Sequence, residues 1–237
     1  MLAFATRVSD TLEAVLGTGG AQLRATVLGE RFEVSTVAAR GIPLTARGKE
    51  ILRIFVKYQC GFDGRAEYLA IHRSEFHVLG ATSSEPLLRY EYVRDGSGDV
   101  PNAHLQIHAH RDAITHALVA GGNRTRRARR ITPGGSTLAD LKSLHLPLGG
   151  TRFRPCLEDV LHFLIEEFGV DAVDGWRSGL DAGRKEWRSL QLRSAIRDAP
   201  QIAVETLRQL GFQVSVPGDA ATKGSEQTRI SRRMLEF

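Results

Sequence analysis

The chain has 237 residues and a mass of 26.1 kDa, enough for one large domain or two small ones. Hydrophobic residues make up 42% and charged residues 25%, ordinary globular usage that excludes global disorder. No apolar run approaches the ~18 residues that a membrane-spanning helix needs, and two cysteines, Cys60 and Cys156, are too few for a disulfide scaffold.

The formal net charge is +5, with 27 of the 32 basic residues arginine. A GC-rich genome produces the same skew, so position along the chain is more informative than the total. The opening residues MLAFATRVSD lack a charged region followed by a long apolar core, so no secretion signal is expected. With the low cysteine use, this predicts a cytoplasmic protein with no membrane partner.

Residues 6–16 read as a short amphipathic helix, with Val8, Leu12, Val15 and Leu16 on one side and Gly17, Gly19 and Gly20 ending it. From 21 to 111 the period shortens. Runs of strand length at about 22–28, 32–39, 51–60, 67–79, 87–94 and 103–111 are broken by Gly, Asp, Ser and Pro. Gly29-Glu30, Phe62-Asp63-Gly64 and Asp95-Gly96-Ser97-Gly98 supply hairpin turns. The expected result is an antiparallel meander with one face on a core.

Residues 121–135 read as an Arg/Gly-rich loop, in which Arg124, Arg126, Arg127, Arg129 and Arg130 stand between glycine and proline punctuation. Two readings stay open: a solvated basic loop, or a phosphate-binding one that uses guanidinium forks.

Helices are expected over the remainder, a helical part spanning 137–211. One is short, at 137–144. A second starts at Pro155 and carries Leu157, Val160, Leu161, Leu164, Ile165 and Phe168 to a stop at Gly169. A third covers 173–198. A fourth runs from Pro200 to Gly211, with a late strand at 212–216 and a flexible tail over 217–237. Strands first and helices after reads as a single α+β domain over 1–216, an antiparallel sheet with C-terminal helices packed on it.

The segment 103–111 is the most informative. Alternation places Ala103, Leu105, Ile107 and Ala109 on one face and His104, Gln106, His108 and His110 on the other. On the preceding strand Leu88, Tyr90 and Tyr92 alternate with Arg89 and Glu91. Packing the apolar residues together sets Arg89 and Glu91 beside the histidines. Imidazole exchanges protons near neutral pH, and a guanidinium stabilises an anionic phosphorus centre, so the cluster suits acid–base cleavage of a phosphodiester.

His145 follows in a turn and could complete the cluster. Arg152 and Arg154, if extended, point one way, beside the anion-favouring start of the helix at Pro155. Three uses of the histidines remain: structural packing, catalysis, or metal binding. Of these, metal binding would rest on His108 and His110, roughly 7 Å apart along a strand, whereas His104 lies roughly 13 Å from His108. No cofactor is expected, and no phosphate-binding loop, dinucleotide fingerprint or nucleophile elbow is present.

The order Leu88-Arg89-Tyr90-Glu91-Tyr92, then a turn, then His104-x-x-x-His108-x-His110, then a proline-bearing loop and Leu157-Glu158-Asp159-Val160-Leu161 resembles the TumE-like toxins of bacterial toxin–antitoxin loci, over residues 86–168. The resemblance implies a small α+β toxin acting on RNA, with a cognate antitoxin as protein partner. The chemistry would carry over to His104, His108 and His110. Two alternatives stand beside it: a regulator that binds nucleic acid or a partner protein without turnover, and a metal-dependent hydrolase or cupin-like protein using His108 and His110.

Overall fold

The structure, a computed structural model, describes residues 2–19, 22–62, 69–94, 100–108, 145–148 and 150–215. His110, the arginines of the 121–135 loop, the helix expected at 137–144 and the tail from 217 lie outside the described residues.

Helix α1 (Leu2–Leu16) starts four residues earlier than the sequence pattern suggests. Phe4 extends the stripe of Val8, Leu12 and Val15 by a turn, and its ring meets Tyr58 edge-on with centroids 5.1 Å apart. Among the described residues eight strands follow: β1 (Leu23–Leu28), β2 (Arg31–Thr36), β3 (Ile42–Ala46), β4 (Lys49–Phe62), β5 (Leu69–Gly80), β6 (Pro86–Val93), β7 (Ala103–Ile107) and β8 (Leu146–Pro147). All their pairings are antiparallel, in the order β1-β2-β4-β5-β6-β7-β8, with β3 also on β4. The fold is α+β.

Strand β3 interrupts the expected pattern. Gly41 and Pro43 disguise it as a loop, yet β3 pairs on one side only, where a proline is tolerated. Its hairpin to β4 turns on Arg47 (φ 53°) and Gly48 (φ 72°). The Asp171 carboxylate staples this turn by accepting from Arg47 N, Gly48 N and Thr45 Oγ1, each at 2.8 Å.

A one-turn helix α2 (Gly150–Phe153), then α3 (Leu157–Phe168), α4 (Trp176–Asp198) and α5 (Pro200–Gln209) complete the described chain. Helix α3 is capped at Cys156, whose backbone N donates to Asp159 Oδ2 at 3.2 Å, and Gly169 in the left-handed region ends it. Residues 212–215 form no strand, contrary to the sequence pattern.

One sheet face, built from Val34, Ile54, Val56, Tyr58, Phe76 and Val78, meets Val8, Leu12 and Val15 of α1, Val160, Leu161 and Leu164 of α3, and Leu180 of α4 in one core. Helix α4 approaches closely through two glycines: a Cβ at Gly179 would stand 3.1 Å from the Ala14 Cβ, and one at Gly183 only 2.3 Å from Glu158 Oε1. Cys60 and Cys156 are buried, unpaired thiols; burial pushes Cys60 up to about 12 and Cys156 higher still, so neither is poised as a nucleophile. No helix among the described residues is long and apolar enough to cross a membrane.

Candidate active site

The sheet face turned away from the helices carries the polar side chains. Its register is fixed by the apolar residues on the other side, because a slip of one residue would turn every side chain over. Arg89 lies opposite Gln106, and Glu91 opposite His104. On the other flank of β6, His77 lies opposite Arg89, and Glu75 opposite Glu91. His145 enters beside β7, where Gln106 Nε2 donates to its Nε2 at 2.9 Å.

Gln106 is therefore the centre of the cluster. Arg89 stands across one ladder and His145 across the other, with His104 and His108 two residues away along β7.

The histidines divide into two kinds. His104 is sealed, at 3% exposure. Its Nδ1 donates to Pro101 O at 2.9 Å and its Nε2 faces Glu91 Oε2 at 3.5 Å. Both partners are acceptors. His77 Nε2 donates to the other oxygen, Glu91 Oε1, at 2.9 Å. Burial would push the Glu91 carboxyl up, but the hydrogen bonds and charge of His104 and His77 hold it well below the usual carboxylate range. Glu91 is thus an ionised clasp between two imidazoles.

His108 is different. Its Nδ1 faces Glu85 Oε1 at 3.2 Å, while its Nε2 is buried with no hydrogen-bond partner among the described residues. Arg89 Nε is buried and unpartnered in the same way. The Nε atoms of Arg53 and Arg73, by contrast, lie within ion-pair reach of Glu50 and Glu75. Thr36 Oγ1 and Gln191 Oε1 are orphaned elsewhere among the described residues, but His108 and Arg89 bring two such nitrogens to neighbouring strands of one face. The ring of His145 lies against His104, with centroids 4.8 Å apart.

Arg152 and Arg154 do not join this cluster. The extended geometry expected for them is replaced by the turn of α2, which sends them elsewhere. Arg152 Nε pairs with the buried carboxylate of Asp198 at 2.5 Å, tying α2 to the end of α4. Arg154 lies on the opposite face of the sheet, its guanidinium 3.7 Å from the Tyr92 ring centroid and 4.8 Å from that of Trp187. Burial pulls its pKa down to about 10, which leaves it cationic at neutral pH.

His77 is the member that the sequence pattern does not single out. Its signal is only that it shares a strand face with Glu75, and the β5–β6 register is needed to bring it to Glu91. The possible metal pair His108 and His110 extends beyond the described residues; within them no group of three His, Cys, Asp or Glu is arranged to hold a metal ion. No protein-family model, curated protein or solved structure matches the chain.

Proposed function

We propose that this protein is a toxin-like ribonuclease that cleaves RNA at the polar sheet face by imidazole acid–base chemistry. The observation that carries the reading is the pair of buried, unpartnered nitrogens beside Gln106, His108 Nε2 two residues along the chain and Arg89 Nε across the β6–β7 ladder. His108, held at Nδ1 by Glu85, presents Nε2 as the base. It takes the proton of a ribose 2′-hydroxyl, and the 2′-oxygen bonds to phosphorus. The bond from phosphorus to the 5′-oxygen breaks, and that oxygen takes a proton from water, because His145 Nε2 is engaged as the acceptor of the Gln106 amide. The products are a 2′,3′-cyclic phosphate and a free 5′-hydroxyl. Arg89 faces the charge that builds on the phosphoryl oxygens, and the His104–Glu91–His77 clasp keeps the strands in register.

The test is cleavage of a fluorophore–quencher RNA by the purified protein, in EDTA. His108→Ala should lower kcat about 100-fold or more with the thermal midpoint nearly unchanged. Arg89→Ala should also impair turnover, and a 2′-O-methyl substrate should stay intact. In a bacterial host the wild type should arrest growth and His108→Ala should relieve the arrest. Cleavage by His108→Ala at the wild-type rate would defeat the proposal. Salt-dependent RNA binding without turnover would select a binding module instead.

A further inference from the structure

One continuous row crosses the polar face. Phe55 of β4 lies opposite His77 of β5, His77 opposite Arg89 of β6, and Arg89 opposite Gln106 of β7, which bonds His145. All five side chains end in a planar group. Phe55 is the unexpected member. The core residues of β4 are Leu52, Ile54, Val56, Tyr58 and Cys60, so Phe55 points to the other side, among Arg53, Lys57 and His77.

Its ring is part-buried and lies 5.8 Å from the His77 ring at an interplanar angle of 33°. A second observation concerns its outer flank. On that edge of β4 the pairing with β2 stops at Lys57 and the pairing with β3 begins at Ile54. Phe55 thus sits in a notch between two strands that share one neighbour. The chain crossing the notch passes at Gly41, which has no side chain, and closes on the backbone of Ile54 and Phe55.

We propose that Phe55, with His77, is the base-stacking subsite for an unpaired base of single-stranded RNA. This rests on the ribonuclease reading and names the form of its substrate. Aromatic rings on the polar face of an antiparallel sheet, flanked by cations, take up splayed bases because every base has a π-face. From Phe55 to Arg89 is two strand spacings, about 10 Å, so a base on the ring places a neighbouring phosphate at the guanidinium. A duplex hides its bases and is not taken up by this subsite.

The probe is a fluorescein-labelled 2′-O-methyl 12-mer, which separates binding from cleavage, measured by anisotropy at fixed salt. Phe55→Leu keeps apolar bulk without a ring face and should weaken binding about tenfold. Phe55→Trp should restore it, with tryptophan emission quenched on binding beyond any change in wild type. A blunt duplex of the same length should bind wild type and Phe55→Leu equally. If wild type cleaves RNA but Phe55→Leu binds the 12-mer as wild type does, the stacking subsite is wrong and the nuclease stands. If Phe55→Trp folds but binds no better than Phe55→Leu, the subsite is also wrong. If wild type neither binds the 12-mer nor cleaves RNA, both readings fall.

Discussion

Glu91 accepts from His77 and faces His104 Nε2 while nearly buried, at 13% side-chain exposure. Its pKa is depressed in the folded chain, so the unfolded chain binds the proton more readily. The stabilisation is complete above the ordinary carboxyl range, near pH 4, and is lost as the pH falls from there toward the folded value. Glu91→Gln should therefore cost about 2 kcal/mol at pH 7, and the gap to wild type should narrow below about pH 4. Urea titrations at pH 7, 5 and 3 measure it; a gap constant across that range would mean that the clasp is not ionic. The setting of Glu91 was legible in the sequence, because alternation in two adjacent strands forces Arg89 and Glu91 to the side of His104 and Gln106. His77 was not. Its register with β6 depends on a shift at Val78/Leu79, which no side-chain pattern announces.

Among the elements, the long alternating strands and the helices stopped by Gly169 and Gly211 could be read directly, since burial of one face imposes their periods. Strand β3 and helix α2 could not. A Gly-Ile-Pro entry looks like a loop until the free edge that tolerates it is known, and Arg152 and Arg154 alternate only if their segment is extended. Gly41 marks the entrance to β3. It has φ +84°, and a Cβ there would fall 2.4 Å from Ile54 O. That oxygen is backbone in a central strand and has nowhere to go. Gly41→Ala should destabilise by roughly 2 to 4 kcal/mol, from positive-φ strain and steric overlap together. A urea midpoint equal to wild type would show that the chain takes another path between β2 and β3.

Across the whole molecule, stability is distributed unevenly. The interior lies between the sheet and helices α1, α3 and the first half of α4, whereas α5 has no buried residue and Leu210 is 69% exposed. Leu161→Ala, at a fully enclosed site, should cost about 3 kcal/mol, and Leu210→Ala less than about 0.5 kcal/mol. Comparable losses at the two positions would mean that the α5 stripe is covered in solution. The α5 stripe itself was legible from Ile202, Val204, Leu207 and Leu210, but periodicity does not say what a stripe faces.

Strand β4 runs for fourteen residues, bordered along one side by β5 and along the other by β2 and β3 in tandem. Three ladders therefore share a single spine. Ile54 and Val56, both fully enclosed, lie on this spine. A sheet joined in this way has no natural fracture line. The ladders on β4 should therefore melt as one cooperative block, with coincident urea transitions by circular dichroism and fluorescence; separate transitions would show that they open independently.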